Sequence, residues 1–241
     1  MTLRTLLSRL LRGSRDTDPA SILEEMIRRD LRFETFRACV NYLDYERVEG
    51  DVLEFGVFAG TSLALLAEAC RRGWWRDAPR RIVGFDSFTG LGDDNDDHPR
   101  WQRGSCVRVH GWHPLLPAGA TVTPDTTRRL FEACGLPQPE IQVGEFEATL
   151  PRVLGSKYTA AALVHVDCDL YEATRAVLAA LEPILQDGAM ILFDDWFHYK
   201  AHPGKGEARA FREFLASNSQ WEAIPYRSYG VFSASFILHR R

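Results

Sequence analysis

Apolar residues recur at three- and four-residue steps from Ala20 to about Arg47, with Ile22, Met26, Ile27, Leu31, Phe36, Val40 and Leu43 on one stripe. That period predicts one continuous helical run, ended by the Val48-Glu49-Gly50-Asp51 turn. The pattern then changes. Val52-Leu53-Glu54-Phe55-Gly56 is a short apolar run expected as a buried strand, and Thr61 to Arg72 returns to helical spacing. Arg81 to Asp86, Glu140 to Val143, Ala161 to Asp167 and Ala189 to Asp194 are further strands. Helices are expected from Thr123-Pro124-Asp125 to about Cys134, from Tyr171 to Gln186 and from Glu207 to Asn218. The first has a threonine cap and a proline in first position. Trp221 to Tyr226 and Val231 to Leu238 close the chain as two strands.

Strands alternating with helices, and apolar along most of their length, predict an α/β fold whose parallel sheet is covered on both faces. Seven strands make it a doubly wound, mostly parallel sheet. Only Arg227 to Gly230 separates the last two strands, so they are expected as an antiparallel pair at the sheet edge. Residues 1–47 read as an N-terminal helical extension and 48–241 as the main domain. Ser87 to Thr123 has no clean period and contains Asp93-Asp94-Asn95-Asp96-Asp97, Trp101, Trp112, His98, His110 and His113. A connection of this length predicts a lid or binding loop. Each histidine taken singly is more often solvated or structural than catalytic.

Composition narrows the partners. A net charge of −4 gives no reason to expect nucleic acid. No apolar run reaches the roughly 18 residues of a membrane span, so stable membrane insertion is not expected. Met1 to Arg15 carries Arg4, Arg9, Arg12 and Arg15 with leucines at helical spacing. A packed or frayed helix, compatible with a homodimer contact, is favoured there over a membrane-surface helix. Gly13 to Pro19 is a linker. Five cysteines without a C-x-x-C pair indicate reduced thiols and a cytoplasmic setting.

In open parallel sheets ligands bind beyond the carboxyl ends of the strands. Those ends here carry Glu54-Phe55-Gly56, Asp86-Ser87, Gly144-Glu145-Phe146, Asp167-Cys168-Asp169 and Asp194-Asp195. Glu54 to Ser62 is a strand, a glycine turn and a helix start. Its spacing is G-x-x-x-G rather than the dinucleotide G-x-G-x-x-G, so no pyrophosphate is implied. Ser62 and backbone N–H groups suit a carboxylate, an acid suits an ammonium, and Asp86 is placed to accept ribose hydroxyls. An amino acid joined to a nucleoside, as in S-adenosylmethionine, has both parts.

Asp167, Asp169, Asp194 and Asp195 would repel one another unless a cation sits among them. Hard oxygen donors suit Mg²⁺, with Ca²⁺ or Mn²⁺ as substitutes. The plainer reading makes some of these acids helix or loop caps. Acids on both sides of Cys168 disfavour a thiolate nucleophile.

These stretches resemble the macrocin-type, metal-dependent sugar O-methyltransferases that tailor antibiotics, a class I S-adenosylmethionine-dependent family. The matching blocks are Leu53 to Ser62, Gly84 to Phe88, Gly144 to Pro151, His165 to Tyr171, Phe193 to Trp196 and the segment Gly206 to Phe211. The resemblance implies a Rossmann-like methyltransferase sheet, with Mg²⁺ on Asp167, Asp194 and Asp195 and Asp169 as general base. Glu54, Gly56, Thr61, Ser62, Asp86, Ser87 and Asp167 would line the cofactor, with Gly144 and Phe146 near adenine. The expected reaction is O-methylation of a small hydroxylated acceptor, a sugar or glycoside. Asp93 to Thr123 departs from the family pattern, which leaves the acceptor open. Three alternatives stand beside it. One is a non-sugar vicinal diol or catechol as acceptor. Another is a non-catalytic S-adenosylmethionine-binding module, disfavoured by the intact acids. The third is an NAD-dependent dehydrogenase, disfavoured by the missing dinucleotide motif.

Overall fold

The computed structural model describes residues 18–74 and 79–241. The basic segment Met1 to Arg15 and most of the Gly13 to Pro19 linker lie outside the described residues. Helices α1 (Pro19–Arg29) and α2 (Phe33–Tyr45) precede β1 (Asp51–Phe55), α3 (Thr61–Arg71) and β2 (Ile82–Asp86). Then come α4 (Pro124–Ala133), β3 (Glu140–Val143), α5 (Phe146–Val153), β4 (Ala161–Val166), α6 (Tyr171–Leu181) and β5 (Leu185–Phe193). Helix α7 (Gly206–Ser217) and strands β6 (Trp221–Tyr229) and β7 (Ser233–Arg240) complete the fold. The seven strands form one sheet in the order β3-β2-β1-β4-β5-β7-β6. The first five are parallel, while β7 runs antiparallel to both β5 and β6. The antiparallel edge pair is present, and Pro225 sits on the outer strand beside a register shift, where a missing N–H costs least.

Successive strand residues point to opposite faces, and both faces are covered. Val52, Leu163 and Leu192 pack with Leu63, Leu66 and Phe131 on one side. Leu53, Val164 and Ile191 pack with Val177, Leu178 and Phe211 on the other. This double burial explains why every residue of β1 and β4 is buried, and why Val, Leu, Ala and Phe fill most positions instead of alternating with polar residues. Residues of α1 and α2, including Met26, Phe36 and Leu43, belong to the first of these cores. No helix among the described residues is long and apolar enough to cross a membrane.

Three local expectations are corrected. The helical run from Ala20 to Arg47 is two helices. Asp30 turns extended at the end of α1, its carboxylate accepts the Arg32 N–H at 2.9 Å, and Leu31 points to solvent. The helix after Tyr171 ends at Leu181, followed by a 3₁₀ turn containing Pro183, so β5 begins at Leu185 rather than Ala189. A proline there cannot supply the helix's next amide hydrogen. Helix α5 was not expected, since eight residues with an internal proline give little periodic signal.

Residues 87–123 hold no helix or strand, yet they fold back on themselves. Arg108 and Thr121 form a bridge, and Val109 and Val122 pack on Ala59. His113 is buried within this fold. Its Nδ1 accepts the Leu115 and Leu116 N–H groups at 3.1 Å each, leaving Nε2–H to donate to the Ala59 carbonyl at 3.3 Å. Thr123 N–H donates to Thr126 Oγ1 at 3.1 Å, and Pro124 opens α4 as expected.

Two outcomes test this packing. Phe36 is fully buried, edge-on to His165 at 5.1 Å between centroids. Phe36→Ala is expected to lower the unfolding free energy by about 3–5 kcal/mol, measured by urea denaturation; a loss below about 1 kcal/mol would detach α2 from the core. Burial lowers the His113 pKa below its ordinary value of 6.5. The unfolded chain therefore takes up a proton before the native one does. Stability is intact above that value and declines as pH falls through it. His113→Asn, which keeps an acceptor near Nδ1, is expected to flatten part of the decline in melting temperature between roughly pH 7 and pH 5.

Candidate active site

The sheet order reverses between β1 and β4, because the chain builds β2 and β3 on one side of β1 and then crosses to the other. A cleft of about 590 Å³ opens at the carboxyl ends of these strands, where such sheets bind ligands. Gly56 makes it possible. Its φ is +91°, and a Cβ there would lie 1.8 Å from the Asp167 carbonyl oxygen. No other residue fits, so the glycine turn and the acidic strand end are locked side by side.

Gly56, Thr61, Ser62, Asp86, Ser87, Gly144, Phe146 and Asp167 all line the cleft. Thr61 and Ser62 open α3, so unpaired backbone N–H groups face the same space. Two residues differ from the expected pattern. Glu54 does not line the cleft. It is fully buried, and its Oε1 lies 2.9 Å from His165 Nδ1 on the neighbouring strand. Asp86 lines the cleft, but its carboxylate is engaged with the backbone. Oδ2 accepts the Val57 and Phe58 N–H groups at 2.8 and 2.7 Å, and Oδ1 accepts Phe88 N–H at 2.6 Å. It fixes the turn that shapes the cleft, and of its two oxygens only Oδ1 keeps a lone pair for another donor.

Asp167, Asp169, Asp194 and Asp195 also meet in the cleft. Asp169 has φ +63°, and Leu170 N–H donates to the Cys168 carbonyl at 2.6 Å across it. That is a γ-turn of the strained, positive-φ kind, holding the Asp169 side chain away from the regular helix start. Burial, then the Asp195 and Asp194 charges, push the Asp169 carboxyl well above the usual range. Burial and the Asp194 charge do the same to Asp167 and Asp195. Asp195 is 8% exposed and its Oδ2 has no hydrogen-bond partner. Glu207, also buried, accepts the Asp195 N–H at 2.9 Å.

Two cations oppose this charge, and neither was anticipated from the sequence. Arg32 Nη1 lies 3.2 Å from Asp167 Oδ2 and 3.3 Å from Asp194 Oδ2. His165 Nε2 lies 3.7 Å from Asp194 Oδ1. Burial alone would lower the His165 pKa, but Asp194 and Glu54 outweigh it and push it to about 10. Against the pull of burial, Arg32 and His165 together hold the Asp194 carboxyl below the usual range. Glu54, His165 and Asp167 bring three potential ligand atoms within 4.8 Å of one another. His165 links this trio to the acids, with Nδ1 toward Glu54 at 2.9 Å and Nε2 toward Asp194 at 3.7 Å. A histidine inside the apolar run Ala161–Val166 was the signal for it. For Arg32 the signal was hidden in what read as one helix.

The loop histidines separate. His110 lines the cleft beside Phe58, and His113 is structural. His98 stacks on Trp101 at 4.0 Å and lies 5.3 Å from the ring of His198. His198, another residue not anticipated, places Nδ1 2.8 Å from Asp195 Oδ1. Cys168 is buried, and burial followed by the neighbouring acids pushes its thiol pKa well up, which removes it as a nucleophile.

Comparison with known proteins follows the same outline. The 8-demethyl-8-(2,3-dimethoxy-alpha-L-rhamnosyl)-tetracenomycin-C 4'-O-methyltransferase of Streptomyces olivaceus is 30% identical over 167 residues, 68% of this chain. The match spans only 60% of that relative's own length. The solved O-methyltransferase NovP has a TM-score of 0.65 at 25% identity, over 87% of this chain and 80% of its own. The calicheamicin methyltransferase CalS11 has a TM-score of 0.61 at 26% identity, over 98% of this chain and 86% of its own. The family model described as macrocin-O-methyltransferase (TylF) matches residues 10–224, so the chain belongs to that family.

Proposed function

We propose that this chain transfers the methyl group of S-adenosylmethionine to a hydroxyl of a sugar or glycosylated natural product, with Mg²⁺ as cofactor. One observation carries the reading: Asp167, Asp169, Asp194 and Asp195 converge in the cleft that the Gly56 turn and the start of α3 also form. The names of the relatives, a rhamnosyl-tetracenomycin and a calicheamicin methyltransferase, support a glycoside acceptor.

The donor set fits a divalent cation. Its atoms are hard carboxylate oxygens, one of them buried without a hydrogen-bond partner, and burial together with the neighbouring negative charge raises three of the four acids. Asp167, Asp194 and Asp195 would hold Mg²⁺, whose charge would lower the pKa of a bound hydroxyl and return the acids to their ionised forms. The chain's own groups do the rest. The N–H groups at the start of α3, with Thr61 and Ser62, bind the cofactor's carboxylate. Asp167 also faces its ammonium, and Gly144 and Phe146 border the adenine. Asp169, ionised, accepts the acceptor hydroxyl proton as oxygen forms a bond to the methyl carbon and the carbon–sulfur bond breaks. The products are a methyl ether, S-adenosylhomocysteine and protonated Asp169. The sulfonium loses its charge in this step, which a partly enclosed site favours over bulk water.

S-adenosylhomocysteine is expected to raise the melting temperature, and NAD to leave it unchanged. With a glycoside acceptor found by screening, Asp169→Asn is expected to keep that thermal shift and to lower kcat by about 10²- to 10⁴-fold. Unchanged turnover in the variant would remove Asp169 from the chemistry. A preference for simple catechols over all glycosides would remove the sugar assignment.

A further inference from the structure

Arg32 occupies an unusual place for a structural arginine. Its side chain is 19% exposed, and one end of the guanidinium is fixed by Asp30, with Nε to Oδ1 at 3.0 Å and Nη2 to Oδ2 at 2.8 Å. The other end, Nη1, reaches Asp167 and Asp194. Those are two of the three carboxylates assigned above to the divalent cation. A guanidinium and a divalent ion sharing both carboxylates would repel each other at contact distance.

The fold gives the side chain another place to go. A second cavity of about 370 Å³, bounded by Met26, Arg29, Asp30, Leu65 and Trp112, lies behind Arg32. Arg32 and Thr61 line both this cavity and the cleft. Asp30, the outer anchor, borders the second cavity, so an Arg32 that leaves the acids keeps its other ion pair. Arg32 follows the extended Asp30 and caps α2, its carbonyl accepting the Thr35 and Phe36 N–H groups. Its side chain can therefore turn about its own bonds without breaking a backbone hydrogen bond of either helix.

We propose that Arg32 is a tethered counter-ion that holds the acid cluster closed and competes with the divalent cation for Asp167 and Asp194, turning toward Asp30 and the second cavity when the cation enters. The proposal rests on the reading of Asp167, Asp194 and Asp195 as the cation site. It makes cation affinity a property of the α1–α2 joint as well as of the ligands themselves. Asp195, which Arg32 does not contact and whose Oδ2 lacks a hydrogen-bond partner, is the acid an incoming cation meets without displacing the arginine.

Mn²⁺ titration of the full chain, read by the electron paramagnetic resonance of free ion, tests it. Arg32→Gln is expected to bind Mn²⁺ about ten-fold more tightly or better than the unaltered protein, since removing one positive charge beside the site favours the ion. Asp30→Asn is expected to change affinity in the opposite direction, because it leaves Arg32 with only the cluster acids as partners. Trypsin cleavage after Arg32 is expected to accelerate when Mn²⁺ is added to the unaltered protein. Equal or weaker Mn²⁺ binding by Arg32→Gln, with Asp194→Asn still losing the ion, overturns the competition and leaves the cation site standing. No Mn²⁺ binding by either the unaltered protein or Arg32→Gln overturns the cation site and the competition together. If Arg32→Gln does not fold, Asp30→Asn and the cleavage rate decide, and an unchanged value in both overturns the proposal.

Discussion

The structure is organised around a concentration of buried negative charge at the ends of β4 and β5. Asp195 and Glu207 are buried and Asp167, Asp169 and Asp194 are half-buried at the cleft, so carboxylates that would each rather be in water are crowded together. A fold does not tolerate this without compensation. Arg32 and His165 supply part of it, and they leave a deficit on the side of Asp169 and Asp195. The deficit favours a cationic group beside the acids, and the Arg32 guanidinium is one the structure places there. Stability and chemistry therefore draw on the same charge balance.

The positions of the acids are set by backbone geometry more than by their own contacts. Gly56 lets the first turn lie against the Asp167 carbonyl, with no room for even a methyl group. Asp86 draws Val57 and Phe58 into the same turn through their N–H groups. Asp169 is then displaced by a strained γ-turn, one residue after the strand has delivered Asp167. The strand–turn–helix arrangement separates two chemically identical side chains. Asp167 faces Arg32, while Asp169 faces Asp195.

Much of this was legible in the sequence, for identifiable reasons. Strands buried on both faces leave long apolar runs, and glycines and acids at their ends stand out against them, so the sheet and the residues of its edge could be read directly. Glu54 was misplaced because a strand-end acid looks the same whether it faces a ligand or a buried histidine; only the register of β1 against β4, which sets Glu54 beside His165, distinguishes the two. Asp86 lines the cleft as expected, but its position gave no sign that three backbone N–H groups also converge on it. Arg32 was invisible because the helical period continues across the joint. Asp30 and Arg32 interrupt the helix by hydrogen bonding to each other, and neither glycine nor proline marks the break.

The joint also touches the long loop. Arg29, the last residue of α1, stacks over Trp112 at 4.6 Å, and Trp112 borders the cavity behind Arg32. On its other flank the loop is tied to the segment after β5, through Tyr199 O–H to Asp94 at 2.8 Å and Gly206 N–H to Asp96 at 2.7 Å. Residues 87–123 are thus held at both sides of the acid cluster by groups whose neighbours contact the acids themselves. On one flank Arg29 and Arg32 are close neighbours, one stacked on the loop's Trp112 and the other paired with Asp167 and Asp194. On the other, His198 lies against both Asp195 and the loop's His98. The groups that balance the acids and the groups that hold the loop are therefore adjacent at both ends, and the loop borders the same cleft.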